Sequence, residues 1–297
     1  MFTGTFAGIM PHLAGIWVEA VGRPGNGLPR NLTCVRITIV GCSGSFAGAE
    51  SPASCYLVEA EGFRMLMDLG SGALGAVQRY ADLYEIDAVC LSHLHADHCL
   101  DVCGYSVART FHPDGPKPRI PVYGPAQTEV RLGRALAADP AGADAGVDSR
   151  DRITDAFDFV TVTPGTMEIG PLRVTAARMS HPVETHGFRL EHAGRSLAFS
   201  ADTGETEALV TLARDADVLL CEASFTEPPV GSAVELPAGL HLTARQAGQH
   251  AARAGAGQLV LTHLVPWNDK NQSLEEAGRA FDGPLSLAAP GLGFVLD

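Results

Sequence analysis

A short stretch of this chain reads Ser92-His93-Leu94-His95-Ala96-Asp97-His98-Cys99 and follows an apolar run at 88–91. Four of its side chains, within six consecutive residues, can bind a metal. The whole chain has only 11 histidines among 297 residues, so such a cluster is not expected by chance. Zinc binds imidazole nitrogen and carboxylate oxygen at about 2.0–2.2 Å, and a catalytic zinc keeps one position open for water. The stretch predicts a turn after a buried strand, with the first two histidines on one metal ion and the Asp-His pair facing a second.

Four side chains do not complete two metal sites, so further ligands are expected at the ends of later strands. Three residues meet this expectation, each directly after a strand-like run: His181, Asp202 and His263. Taken singly, each could be an ordinary polar residue at the end of a strand. Together with the histidine stretch, they predict one shared metal site.

Composition limits the classes of function. The chain is 46% apolar and 19% charged, which is enough to bury a large core, and no internal repeat is visible. Its net charge of −13 repels polyanions, so a nucleic-acid-coating protein is disfavoured. A small anionic substrate remains compatible, because metal ions dominate the field inside a pocket. The chain has seven cysteines, an odd number, and no Cys-x-x-Cys motif. This pattern indicates reduced thiols in a cytoplasmic protein.

Alternating and β-branched segments predict strands that recur in blocks followed by helices. The predicted helices cover 73–80, about 99–110, 205–213 and 243–254, and loops are expected at 111–121 and 137–150. The predicted strands cover 35–40, 55–60, 64–68, 88–91, 157–163, 172–177, 187–191, 196–200, 218–221 and 258–262. This order fits two sheets with helices outside, in one domain at 33–297. Residues 1–32 are expected to be an N-terminal extension, because the apolar run 6–21 has no basic segment before it and is interrupted by polar residues. No segment is apolar for long enough to predict a membrane span.

The pattern His93-x-His95-x-Asp97-His98, with the later His181, Asp202 and His263, resembles the metallo-β-lactamase superfamily. The resemblance implies an α/β (α+β) fold, the four-layer αββα sandwich of two mixed β-sheets with helices on the outer faces. It implies two metal ions, zinc or alternatively manganese or iron(II). One ion would be held by His93, His95 and His181, and the other by Asp97, His98 and His263, with Asp202 bridging them. Asp68, in Met67-Asp68-Leu69-Gly70, matches the aspartate that orients a metal-binding histidine.

The residue types at particular positions exclude several branches of the superfamily. Flavodiiron proteins have glutamate where His95 stands, and class B1 β-lactamases use a cysteine where this chain has Asp202. Cys221 belongs to a predicted strand, so we expect it to be buried and not a ligand. Glyoxalase II carries a C-terminal helical domain for which little chain remains after His263.

Three further segments are similar to the ribonuclease Z-like phosphodiesterases: residues 181–190, the segment Cys221-Glu222-Ala223-Ser224-Phe225, and residues 241–247. This similarity implies that His241, 22 residues before His263, is a catalytic histidine outside the ligand set. Glu222 would orient it or pair with its charge, and Asp97 is the third candidate catalytic residue. A histidine at a helix entry and a glutamate in a structural hydrogen bond are the alternatives for His241 and Glu222.

The tRNA-processing members carry a long arm between the positions of His181 and Asp202. Here that interval is 21 residues, enough only for a hairpin. Together with the histidine stretch, the segments 41–45, 51–54, 221–224 and 281–284 resemble the bacterial atypical class II cyclic-nucleotide phosphodiesterases, to which the chain is most similar over residues 33–284. The function this implies is the opening of a 3′,5′-cyclic nucleotide by a hydroxide held between two metal ions. The expected partner is a small-molecule phosphodiester, with no stable nucleic-acid or membrane partner, and a homodimer is left open.

Three alternatives remain. The first is a hydrolase for esters, thioesters, lactones or β-lactams, because the same hydroxide can attack a carbonyl. The second is a tRNA 3′ endonuclease, which would need strongly salt-dependent tRNA binding. The third is a non-enzymatic protein on this fold, which the complete ligand set disfavours.

Overall fold

The structure is a computed structural model that describes residues 16–20, 34–137, 153–228, 232–233 and 235–297. Most of the predicted extension 1–32 and of the predicted connection 137–150 lies outside these residues. Among the described residues, no helix has the length and apolar character needed to cross a membrane.

The first sheet has eight strands in the order β1-β15-β2-β3-β4-β5-β6-β7. Its strands are β1 (Ile16–Ala20), β2 (Val35–Gly41), β3 (Cys55–Ala60), β4 (Phe63–Met67), β5 (Ala88–Cys90), β6 (Ile120–Gly124), β7 (Phe157–Thr161) and β15 (Leu292–Leu296). Pairing is antiparallel from β1 to β4 and parallel from β4 to β7, so the sheet is mixed. The hairpin between β3 and β4 turns at Glu61 and Gly62, both with positive φ, as expected for a two-residue turn.

The second sheet has seven strands in the order β14-β13-β12-β11-β10-β9-β8. Its strands are β8 (Gly165–Ile169), β9 (Leu172–Arg178), β10 (His186–His192), β11 (Arg195–Phe199), β12 (Val218–Glu222), β13 (Leu259–Thr262) and β14 (Leu285–Leu287). Strands β11 to β14 pair in parallel and β8 to β11 pair antiparallel. The carboxyl ends of β11, β12 and β13 therefore meet at one edge of this sheet.

Within the described parts of the chain, seven helices cover the sheets: α1 (Ala73–Val77), α2 (Ala96–Cys99), α3 (Asp101–Thr110), α4 (Thr128–Leu136), α5 (Glu207–Leu212), α6 (Ala244–Ala254) and α7 (Lys270–Gly278). The helix α6 begins at a capping box, in which Thr243 and Gln246 bond each other's backbone N–H groups.

Three apolar clusters show how the layers pack. Neighbouring residues of β3 point to opposite faces of the sheet and belong to different clusters. Val58 lies in the cluster between the two sheets, while Leu57 lies in the cluster beneath α1, α3 and α4. This alternation follows from the period of two along a strand. A third cluster lies between the second sheet and α5, α6 and α7. The four-layer αββα sandwich of two mixed sheets is confirmed.

Several predicted elements needed correction. The helix expected at about 99–110 starts earlier and is divided at Leu100 into α2 and α3. The loop predicted at 111–121 ends too late, because Pro121 lies in β6 opposite Asp158. Strands β6, β8, β14 and β15 and helices α4 and α7 have no counterpart among the predicted elements. Strand β1 lies in the part of the chain assigned to an extension and pairs with β15 at the edge of the first sheet.

Candidate metal centre

The residues of the histidine stretch lie on the turn between β5 and α2. His95 stands at the N-cap of α2 with extended backbone, and Asp97 and His98 occupy its first turn. The other candidate ligands come from strand ends in the second sheet: His181 after β9, Asp202 after β11 and His263 after β13. The structure thus brings together all seven predicted ligands, from four separate parts of the chain.

The first set of donors consists of His93, His95, His181 and Asp202. Nδ1 of His95 lies 3.1 Å from Nε2 of His93 and 3.3 Å from Nε2 of His181. Oδ2 of Asp202 lies 3.6 Å from Nε2 of His93. Three imidazoles and one carboxylate oxygen therefore converge on a common point.

The second set consists of Asp97, His98 and His263. Nε2 of His98 lies 3.0 Å from Nε2 of His263, and Oδ2 of Asp97 lies 3.1 Å from Nε2 of His263. Oδ1 of Asp202 lies 3.3 Å from His98 and 3.4 Å from His263. The two oxygens of Asp202 thus face different sets, which is the arrangement a bridging carboxylate requires.

The separations between donor atoms fit metal ions. Donors at 2.0–2.2 Å from one ion in a tetrahedron lie about 3.3–3.6 Å apart, close to the distances in both sets. Oδ1 of Asp202 is buried and has no hydrogen-bond partner among the described residues. A buried acceptor left without a partner is costly, and coordination to a cation would satisfy it.

The negative charge of the centre also favours the binding of cations. Four buried carboxylates surround it, and none of them forms an ion pair with a lysine or arginine among the described residues: Asp68, Asp97, Asp202 and Glu222. Burial raises the pKa of Asp97 and Asp202, but the surrounding histidines outweigh burial and hold both pKa values below the usual range. Asp97 and Asp202 are therefore ionised, and buried negative charge needs a positive partner.

The histidines of the first set are in the form that binds metal. Burial lowers the pKa of His93, His95 and His181 below the ordinary imidazole value. A lowered pKa favours the neutral ring, whose lone pair is free to coordinate. Nδ1 of His181 also donates to the carbonyl of Leu240 at 2.8 Å, which leaves Nε2 facing the set.

Asp68 orients His98 from behind. Its Oδ2 accepts a hydrogen bond from Nδ1 of His98 at 2.7 Å, and its Oδ1 accepts from the Ser92 N–H at 2.8 Å. The hydroxyls of Ser54 and Ser92 also donate to Oδ2. A carboxylate in this position holds the ring angle and keeps Nε2 available as the donor atom.

His241 and Glu222 stand beside both sets. Nδ1 of His241 donates to Oε1 of Glu222 at 3.0 Å and lies 3.9 Å from Oδ2 of Asp202. Burial lowers the pKa of His241, but Glu222 and Asp202 outweigh burial and raise it to about 8. His241, Asp202 and His263 also form a third group of atoms close enough to hold an ion.

Ser224 is a residue of the centre that the sequence analysis did not identify. Its hydroxyl donates to Oε2 of Glu222 at 2.8 Å and lies 2.8 Å from Nδ1 of His263. The signal was present in Glu222-Ala223-Ser224, where two polar residues at a spacing of two follow a buried strand on the same side. Cys221 is fully buried, has a pKa raised by burial, and belongs to no ligand group, as expected.

Three residues at or next to the centre have a left-handed backbone conformation. Asp68 and His263 have positive φ values of 58° and 55°, and Ala201, directly before Asp202, has 52°. Such conformations cost about 1–3 kcal/mol each and persist where the surrounding structure demands them. Gly70 packs tightly against the turn that carries the ligands, because a Cβ added to it would lie 1.8 Å from the carbonyl oxygen of Asp97. The packing around the ligands therefore determines their backbone geometry.

A four-layer αββα sandwich with two His/Asp donor sets at the ends of its strands defines a metal-dependent hydrolase class. The family described as "Beta-lactamase superfamily domain" matches residues 64–264, and the chain belongs to the metallo-β-lactamase superfamily.

Three curated relatives share most of its length. An uncharacterized protein of Mycobacterium leprae is 42% identical over 94% of each chain. The probable metallo-hydrolase YhfI of Bacillus subtilis is 28% identical over 86% of this chain and 98% of that one. Ribonuclease Z of Myxococcus xanthus is 29% identical over 88% of this chain and 97% of that one. The superfamily and its ribonuclease Z-like relatives are thus confirmed.

Two solved structures show the same fold. The crystal structure of Bacillus subtilis YhfI superposes with a TM-score of 0.74 at 24% identity, covering 89% of this chain and all of that one. The unliganded yeast PDE1 structure superposes with a TM-score of 0.64 at 14% identity, covering 89% of this chain and 99% of that one.

Proposed function

We propose that this metal-dependent hydrolase is a dizinc phosphodiesterase that opens 3′,5′-cyclic nucleotides. The observation that carries the proposal is the placement of His241. This histidine is bonded to Glu222 and stands next to both donor sets, where a proton donor for a leaving alkoxide belongs. Carbonyl substrates with good leaving groups have less need of such an acid.

The residues divide into holders of the metal and carriers of the reaction. His93, His95 and His181 would hold one zinc ion, and Asp97, His98 and His263 the other, with Asp202 shared between them. When bound, such a pair of ions lowers the pKa of water and stabilises the charge that develops on phosphoryl oxygens. Asp68 and Ser224 keep His98 and His263 in their orientations through hydrogen bonds to Nδ1.

In the proposed reaction, a water molecule gives up one proton to solvent, its oxygen forms a new bond to phosphorus, and the bond from phosphorus to the ribose oxygen breaks. The ribose oxygen takes a proton from His241. Nδ1 of His241 is engaged by Glu222, so Nε2 is the nitrogen that can deliver the proton. The charge of Glu222 stabilises the protonated ring before the transfer. We also propose Asp97 as a catalytic residue, because its carboxylate borders the second donor set.

The tRNA endonuclease alternative would need an arm between His181 and Asp202, and the structure describes only a short hairpin there. The interval between His181 and Asp202 is filled by the hairpin of β10 and β11, whose turn is Ala193-Gly194. No arm extends from it, and the net charge is −13. We therefore propose a small-molecule phosphodiester as the substrate. Buried thiols such as those of Cys90 and Cys221 fit the proposed cytoplasmic location, and the homodimer stays a prediction.

A substrate panel tests the proposal. Zinc-loaded protein is assayed on 3′,5′-cyclic nucleotides, bis-p-nitrophenyl phosphate, a thioester and nitrocefin, with chelator-treated protein as the control. We expect conversion of cyclic nucleotides to 5′-nucleotides that depends on metal and exceeds turnover of the carbonyl substrates. Hydrolysis of the thioester or nitrocefin without turnover of any cyclic nucleotide would overturn the proposal.

A further inference from the structure

A cavity of about 500 Å³ opens beside the metal centre, with His241 in its wall. Small-molecule sites occupy about 300–1,000 Å³, so the cavity has the size for a mononucleotide fragment. It includes the aromatic residues Phe225 and Trp267 and the amides of Asn268 and Gln272; Asp269 is the one acidic residue among its described lining residues, and neither lysine nor arginine is among them. This lining suits an uncharged, planar part of a substrate whose phosphate lies at the metal centre.

Trp267 is the most conspicuous residue of this cavity. Its side chain is 74% exposed, the highest value among the exposed large apolar residues that the structure describes. The ring of Phe46, 43% exposed, lies 5.2 Å from it at a tilt of 42°. Phe46 thus supports the indole, while most of the indole surface is left to solvent. Exposed aromatic surface of this size is stabilised when a flat apolar partner covers it.

The backbone around Trp267 is held in place. The Gly44 N–H donates to the Leu264 carbonyl at 3.0 Å, and the Asn268 N–H donates to the Val265 carbonyl at 2.8 Å. The side-chain amide of Asn268 donates to the carbonyl of Ser224 at 2.8 Å. Ser224 in turn contacts His263, so the loop that carries the indole is tied to the metal centre. The backbone that carries the indole is therefore held before a ligand arrives, which lowers the entropic cost of binding.

We propose that Trp267 is the platform on which the nucleobase of the substrate stacks, with Phe46 supporting it. This inference rests on the proposed function and adds how the substrate's base is recognised. Every base has a π-face, so stacking on an indole favours nucleotides over phosphodiesters that have no base.

The side-chain amides of Asn268 and Gln272 line the same cavity as Trp267 and can bind the edge of a stacked base. One N–H of the Asn268 amide donates to the Ser224 carbonyl and one N–H of the Gln272 amide donates to Glu276, so each amide keeps its oxygen and its second N–H for a ligand. Amide oxygens accept hydrogen bonds, and an exocyclic amino group of a base donates them. A base that carries an amino group therefore fits this cavity.

Steady-state kinetics on zinc-loaded protein test the platform. Trp267→Ala should raise KM for 3′,5′-cyclic AMP by about 10- to 100-fold with a much smaller change in kcat, because stacking contributes to the ground state and transition state alike. Trp267→Phe should recover part of the loss. Phe111→Ala is the matched control, since Phe111 is an exposed aromatic residue at the far end of α3, and its KM should stay at the wild-type value.

Fluorescence separates this inference from the proposed function. The chain has two tryptophans, and we expect 5′-AMP to quench the emission of zinc-loaded wild type but not that of Trp267→Phe. Failure of the wild type to hydrolyse any cyclic nucleotide would overturn the proposed function. If the wild type does hydrolyse cyclic AMP, a wild-type KM in Trp267→Ala together with unchanged quenching in Trp267→Phe would overturn the platform alone.

Discussion

Nδ1 of His241 donates a hydrogen bond to Oε1 of Glu222 at 3.0 Å, although Glu222 ends strand β12 and His241 lies in the loop before α6. The other oxygen of Glu222 accepts from Ser224, whose hydroxyl contacts Nδ1 of His263. Glu222 therefore links the proposed proton donor to a proposed metal ligand. Mutations in this network separate loss of proton transfer from loss of metal.

His241→Ala should separate catalysis from metal binding. We expect turnover to fall by about 10²- to 10⁴-fold, the usual contribution of a general acid, while two zinc ions per chain remain. Elemental analysis and steady-state kinetics measure the two quantities on the same sample. His112→Ala, which alters a histidine packed on Tyr84 away from the centre, serves as the control. A large loss of zinc in His241→Ala would make His241 a ligand of the third donor group.

Glu222→Gln should change the pH dependence of the reaction. Burial lowers the pKa of His241, and Glu222 is the largest of the influences that raise it to about 8. Activity requires the protonated ring and is lost as pH rises through this pKa. Without the carboxylate charge the pKa falls, so the alkaline limb of the kcat/KM profile should move to lower pH by about 1 unit. An alkaline limb at the wild-type position would contradict the role of Glu222.

Asp202→Ala should remove metal and activity together. Its two oxygens face different donor sets, so its loss weakens both sites and leaves the histidines without their shared negative partner. We expect fewer than two zinc ions per chain, measured by elemental analysis, with circular dichroism to verify folding. Asp114→Ala, at a carboxylate whose side chain is 85% exposed, should keep wild-type zinc content. Unchanged zinc content in Asp202→Ala would overturn its bridging position.

Gly70→Ala should disturb the centre through the backbone alone. The added Cβ would fall 1.8 Å from the carbonyl oxygen of Asp97, so the turn that carries Asp97 and His98 must shift. We expect weaker zinc affinity in a chelator competition assay and a lower melting temperature. Gly75→Ala in α1 is the matched control, because its Cβ meets nothing within 4 Å. It should retain zinc affinity and gain about 0.5–1 kcal/mol in the free energy of unfolding. Equal zinc affinity in the two variants would contradict the packing argument.

The elements that the sequence predicted well are those with a strong local pattern. Strand β3 and helix α6 were placed within one residue of their observed bounds, since alternation and a capping box depend on neighbours in the chain. Strand β6 contains Pro121, which cannot donate to a sheet ladder, and it forms because β5 and β7 flank it. The edge strand β8 is largely exposed and carries too little apolar alternation to be recognised.

The ligand types and their order along the chain follow from the sequence alone, because a metal needs particular donor atoms and the stretch at 92–99 supplies four of them within a few residues. Only the tertiary structure determines which oxygen of Asp202 faces which donor set. It also determines that Ser224 joins Glu222 to His263, and that Trp267 borders the cavity beside His241. These relationships join residues that are distant in sequence, and they arise from the pairing of strands and the packing of two sheets. Local pattern carries no information about such contacts.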